Sequence, residues 1–150
     1  MTPDLYDQDF VTWAEQQAKA IRRAAAERVN TSEPIDWENV AEEIESLGKE
    51  QLHRLDSAYV VLLHHLLKWQ FQPRRRSRSW KLTITEQRRR VRKVMSSNPG
   101  LRPRQDELFL SAYADACKLA AAETGLALAA FPESPPFSRP QAEDDGFLPG

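Results

Sequence analysis

Residues 49–71 read KEQLHRLDSAYVVLLHHLLKWQF, and the fold turns on how this stretch is placed. Leu55, Tyr59, Leu62, Leu66 and Trp69 recur at three- and four-residue spacing, the mark of one helical face. Val60, Leu63 and Leu67 widen that stripe well beyond an ordinary amphipathic face. A helix apolar on two sides must lie between neighbours, so the stretch predicts the central helix of a bundle. It ends before Pro73, because the residue preceding a proline disfavours helical dihedrals. The apolar run Tyr59–Leu63 stops at two histidines and is too short to span a membrane.

The flanking sequence supplies the neighbours. Residues 7–28 read as a helix capped by Asp7, with Tyr6, Phe10, Trp13, Gln17, Ile21 and Ala24 facing inward. Asp36 caps a second helix whose inward residues are Trp37, Val40, Ile44 and Leu47; Gly48 either ends it or weakens it by about 1 kcal/mol. After the central helix, Ser77 or Ser79 caps a fourth, running to about Ser96. Its inward residues are Trp80, Ile84, Val91 and Met95. Asn98-Pro99 opens a fifth, with Leu101, Leu108, Ala112, Ala116 and Leu119 inward and Gly125 as its C-terminal cap. From Phe131 the prolines 132, 135, 136, 140 and 149 forbid long regular structure, and Phe131, Phe137, Phe147 and Leu148 are placed to pin that tail along the bundle. The expected architecture is all-α: a single-domain bundle of about five helices over residues 1–130, with an irregular tail over 131–150.

Net charge is −1 and the chain is 41% hydrophobic, which suits a soluble globular protein with no long-range pull on polyanions. The average conceals a segregation. Residues 1–50 carry twelve acids against five bases, residues 68–104 thirteen bases against one acid (Glu86), and residues 105–150 eight acids against two bases. Self-neutralisation of the basic segment by its acidic flanks is the expectation. One cysteine, Cys117, allows no intrachain disulfide and suits a reducing compartment. The acidic start MTPDLYDQDF lacks the basic residues and apolar run of a signal peptide, so a cytoplasmic location is expected.

Some polar residues fall on faces that should be buried. On the fourth helix Arg88 shares the stripe of Ile84 and Met95, with Gln87 beside it. Glu38, Glu42 and Glu45 form an acidic stripe beside the core face of the second helix. His65 lies at the core edge of the central helix, whereas His64 points to solvent. Asp115 falls near Leu108 on the fifth. A guanidinium in an apolar stripe requires partners. The expected cluster is therefore Glu42 or Glu45 with Arg88, Gln87, His65 and Asp115, acting either as a satisfied network that fixes helix register or as a ligand pocket.

Other chemistry finds little support. No Gly-rich phosphate loop, Gly-x-Ser-x-Gly or zinc-finger spacing occurs, so no metal, cofactor or catalytic residue is expected. Arg74, Arg75, Arg76, Arg78, Arg89, Arg90 and Lys93 offer a basic surface for nucleic acid. The net charge and the inward placement of Trp69 and Trp80 favour a non-enzymatic protein-interaction or regulatory module, self-associating, over a nucleic-acid-associated, antitoxin-like regulator. An enzyme using the Glu/His/Arg cluster is the weaker third.

Several strings together resemble a known family. They are Tyr6-Asp-x-Asp-Phe10; Asp36-Trp37-x-Asn39-Val40-Ala41-Glu42-Glu43-Ile44-Glu45-Ser46-Leu47-Gly48; His65-Leu66-Leu67-Lys68-Trp69-Gln70; Arg76-Ser77-x-Ser79-Trp80; and Ile84-x-x-Gln87-Arg88. The chain is similar, from Tyr6 to Phe147-Leu148-Pro149, to the bacterial and cyanobacterial family catalogued as domain of unknown function 29. That resemblance implies a small, all-helical cytoplasmic protein. It supplies no activity, cofactor or catalytic residue.

Overall fold

Asp4 and Asp9 accept hydrogen bonds from the backbone N–H groups of Tyr6 and Thr12, and so start a short helix α1 (Leu5–Gln8) and then α2 (Phe10–Ala26). Asp36 caps α3 (Trp37–Phe71) through the N–H of Asn39. A 3₁₀ turn at Pro73–Arg75 leads to Ser77, which caps α4 (Arg78–Ser97). A second 3₁₀ turn, Pro99–Arg104, runs into α5 (Gln105–Thr124), closed by Gly125 in the left-handed region at φ 76°. A third, Leu128–Ala130, precedes an extended stretch and α6 (Arg139–Glu143), which Ser138 and Gln141 open with a capping box. The computed structural model describes residues 4–27 and 30–150, and among them the protein is all-α, without strands. The expected end of the first helix, at Arg28, lies outside the described residues.

The expected second and third helices are one. α3 runs unbroken for 35 residues, about 52 Å at 1.5 Å per residue. Gly48 does not end it. The glycine is buried where α2 crosses, and a Cβ built there would lie 3.1 Å from Ala14 Cβ. The absent side chain thus brings the two helices together.

α2, α4 and α5 all pack on α3, and Leu55, Tyr59, Leu62, Leu63, Leu66 and Leu67 are fully buried among them. The inward faces of the neighbours are partly those of small residues. α2 buries Val11, Ala14 and Ala18, while Tyr6 and Gln17 stay exposed. Tyr6, Phe10 and Trp13 instead stack on one another at the flank, with ring centroids 4.9 to 5.7 Å apart. α5 buries Phe109, Ala112, Tyr113, Ala116, Cys117 and Ala120, which leaves Leu119 exposed. Val40 and Leu47, expected inside, are also exposed, and Trp37, Trp69 and Trp80 are only half-buried.

The buried Asn98 ties three helices at one end. Its Oδ1 accepts from Val11 N–H (3.0 Å), one of the donors that the start of α2 leaves unpaired. Its Nδ2 donates to Gln51 Oε1 (3.1 Å) and Val94 O (2.9 Å). At the other end, the tail lays Phe131 and Phe137 into the core, and Phe147 and Leu148 pack against it.

Gly48→Leu is expected to lower stability by about 1–3 kcal/mol through overpacking against Ala14, although any residue other than glycine or proline raises helix propensity. Thermal unfolding followed by circular dichroism measures it. A rise in stability would show that α2 does not approach α3 there.

Candidate functional site

Arg88 projects from α4 into the interior and is 2% exposed. Its partners are not Glu42 or Glu45. Nε donates to Ala142 O (2.8 Å), Nη1 to Asp145 O (3.4 Å) and Nη2 to Phe147 O (2.7 Å). Ala142 lies in the last turn of α6, where helix carbonyls have no intrahelical donor. A planar guanidinium with five N–H donors suits three carbonyls converging from a turn. Burial lowers the Arg88 pKa, and the Asp145 and Asp144 carboxylates oppose that shift. Arg92 adds an ion pair to Asp145 (2.9 Å), and Arg76, stacked over Trp69, donates to Trp69 O (2.8 Å) and reaches Pro149 O (3.5 Å). Arg76, Arg88 and Arg92 of the basic segment therefore hold the C-terminal tail.

The rest of the expected cluster is dispersed. Glu45 pairs with Arg22 of α2 (2.5 Å) and Lys49 (3.2 Å), and the Arg22 hydrogen bond holds its carboxyl below the usual range. Glu42 and Asp115 are exposed. Asp115 was expected inside from Leu108, but α5 turns its alanine face to α3 instead. His65 keeps to its own helix, its Nδ1 2.8 Å from Val61 O.

A different ionic cluster forms around the buried Lys68. Lys68 of α3 is 3% exposed; its Nζ donates to Glu123 Oε1 of α5 (2.8 Å) and sits 4.6 Å above the Trp80 ring of α4. The carboxylate and the ring face offset the desolvation of the ammonium. His64, expected in solvent, is covered by the same contact: Nε2 lies 2.7 Å from Glu123 Oε2, without the alignment of a hydrogen bond. Burial lowers the pKa of both His64 and His65, and the Lys68 hydrogen bond lowers that of Glu123. The signal for this cluster is α3 itself, since a helix covered on several sides buries polar residues away from its main stripe as well.

A second node joins α3, α5 and α6. Tyr59 O–H donates to Glu143 Oε1 (2.5 Å), Gln105 Nε2 donates to both, and Arg139 bridges Glu143 to Asp106. Burial first, then the Glu143 bond, raises the Tyr59 pKa. Its members come from three separate segments, Tyr59, Gln105–Asp106 and Arg139–Glu143, which no motif links in sequence.

The acidic N-terminal part neutralises the basic segment at a single ion pair among the described residues, against the expectation of broad neutralisation. Glu38 and Glu45 go to Arg22, and Glu15 to Arg104. Within residues 74–93, eight cations are exposed: Arg74, Arg75, Arg78, Lys81, Arg89, Arg90, Arg92 and Lys93. Glu86 pairs with Arg89 (2.8 Å) and Arg90 (3.4 Å), which pull its carboxyl down to about 2, and Asp145 takes Arg92. A groove of about 500 Å³ opens where this face meets α3. Arg89, Arg90 and Lys93 form its α4 wall, Arg54 and Ser57 line the α3 side, and Ala58, Val61 and Val94 add apolar surface. Gln87 lines it too, buried, with no hydrogen bond to another described residue. The groove offers an apolar surface, a free amide and a cationic rim. Among the described residues no group of three His, Cys, Asp or Glu is arranged to hold a metal, and no helix is long and apolar enough to cross a membrane.

Residues 5–148 match the family described as Domain of unknown function DUF29, and the chain belongs to that family. The fold is similar to the crystal structure of an α-helical protein of unknown function from Rhodospirillum rubrum, with a TM-score of 0.70 at 24% identity over 97% of this chain and 93% of that one. No curated protein matches.

Arg88→Ala is expected to lower stability by about 3 kcal/mol in urea unfolding, because three tail carbonyls, that of Ala142 buried, lose a charged donor. Arg88→Lys should recover little, and Arg89→Ala should change stability by less than about 0.5 kcal/mol. Equal small effects at 88 and 89 would contradict the tail latch. The folded chain also resists protonating His64 and His65, while the unfolded chain takes up those protons. Stability is therefore expected to fall as pH drops below about 6.5. The variant with both His64→Gln and His65→Gln should show a flatter slope between pH 6.5 and 5; an unchanged slope would assign the loss to other groups.

Proposed function

We propose that the protein is a non-enzymatic binding module whose α3–α4 groove takes an acidic helical segment of a partner protein. The observation that carries this reading is the groove itself: the unpaired Gln87 amide lies beside apolar surface, under a rim formed by Arg89, Arg90 and Lys93. A cationic rim steers acidic partners, and apolar surface with one free amide supplies local contacts.

The exposed cations of α4 also suit a phosphate backbone. Two features favour protein. The groove holds about 500 Å³ and is partly apolar, which suits a few side chains better than a smooth duplex. Trp69 and Trp80 lie beneath Arg76 and Lys68, so neither is presented as a stacking platform for bases.

Fluorescence anisotropy with a labelled 20-residue Glu/Leu/Ala helical peptide tests the proposal against labelled duplex DNA and RNA. At about 50 mM salt the peptide should bind with micromolar Kd and weaken as salt rises. The variant with both Arg90→Glu and Lys93→Glu should bind at least ~10-fold more weakly, a change of about 1.4 kcal/mol. Arg74→Glu should have little effect. Tighter binding of DNA or RNA, lost with Arg74→Glu and Arg78→Glu, would replace this reading with the nucleic-acid one. Peptide binding weaker than about 1 mM (−4.1 kcal/mol) would end it.

A further inference from the structure

We infer that the groove receives the acidic first half of α3 from a second copy of the chain, in an antiparallel two-fold pairing. The inference rests on the groove being a site for acidic helices and names the helix.

α2 covers one side of the first half of α3, at Ala41 and Gly48. A different face there remains uncovered. Val40 and Leu47 on it are 41% and 47% exposed. Seven residues is close to two helical turns, so Val40, Leu47 and Arg54 follow one stripe, and that stripe enters the groove at Arg54. Asp36, Glu43 and Glu50 run alongside it at the same seven-residue interval. The neighbouring acids Glu38 and Glu45 pair with Arg22, whereas Asp36 and Glu43 meet no cation among the described residues. One continuous face of α3 therefore carries Asp36 and Glu43 beside Val40 and Leu47 toward its N-terminal end and the Glu50–Arg54 ion pair at its centre, and is flanked by Arg90 and Lys93 at the other end.

Such a face complements itself when turned end to end. A two-fold axis beside Glu50 sets residues whose numbers sum to about 100 opposite one another. Glu43 of one copy then lies level with Ser57 of the other, within reach of its Arg54 and Lys93. Val40 falls on Val61 in the groove, and the two Leu47 side chains pack near the axis. The seam from Val40 to Val61 is about 30 Å long. The two Glu50 side chains meet at the axis, each paired with Arg54 of its own copy, whereas a parallel pairing would also set the unpaired Asp36 and Glu43 against their own counterparts. The other exposed leucines, Leu82, Leu110, Leu119 and Leu128, do not recur at seven-residue spacing along one helix.

Sedimentation equilibrium of the full chain from 5 to 100 μM tests the pairing. A dimer is expected at about 50 mM salt, dissociating toward monomer at about 500 mM. Leu47→Glu should be monomeric with unchanged circular dichroism, since position 47 is exposed within a helix. Glu43→Arg and Lys93→Glu should each weaken the dimer at least ~10-fold, and combining the two should restore it by exchanging the charges. A wild-type monomer at 100 μM, or a Leu47→Glu dimer as tight as wild type, overturns the pairing. The labelled Glu/Leu/Ala peptide separates the two claims. A monomeric wild type that still binds it loses only the pairing. A monomeric Leu47→Glu variant that fails to bind it overturns the groove as an acidic site, and the pairing falls with it.

Discussion

A helix apolar on two sides cannot stand at the edge of a protein, and most of this structure follows from covering α3. Its second half carries Leu55, Tyr59, Leu62, Leu63, Leu66 and Leu67, all fully buried. Each such side chain contributes roughly 1.5–3 kcal/mol when withdrawn from water. α4 and α5 flank that half, and α2 crosses the first half at Gly48. The remaining cover comes from the tail, whose Phe131 and Phe137 enter the core without a long helix to carry them.

A tail of this kind brings unpaired carbonyls against the core, and Arg88 satisfies them. One guanidinium replaces the backbone donors that a longer α6 would supply at Ala142, Asp145 and Phe147. Lys68 presents the complementary case. Its ammonium is held by one carboxylate and one ring face, so it links α3 to α5 and α4 at a single point. In both, the partners come from other elements, and a shift of helix register would strand the charge. The side of α4 that faces away from the tail meets α3 less closely, and the groove lies there.

The helical character and the central position of α3 were legible in its doubled apolar stripe, and Arg88 was legible as an inward cation. The tail aromatics were placed correctly because few other residues there could bury. Three features were not legible. Gly48 read as an end or a weak point of a helix because propensity sees the missing side chain but not the helix that occupies its space. The inward faces of α2 and α5 were read from their large residues, whereas close packing on α3 selects Ala14, Ala18, Ala112, Ala116 and Ala120. The partners of Arg88 are backbone carbonyls, which carry no mark in a sequence, so the acidic stripe was the only visible counter-charge. Lys68 and Glu123 are 55 residues apart, and neither stands out until α5 is set against α3.

The central claim, that one continuous α3 is the element the rest of the chain exists to cover, is tested most directly by native-state hydrogen exchange resolved along residues 37–71. The expected result is that the amides of Leu55–Lys68 exchange last, by global unfolding alone, and that protection declines smoothly toward Trp37 without a step at Gly48. Two blocks of protection separated at Gly48, or amides of Leu55–Lys68 exchanging as fast as those of the tail, would contradict it.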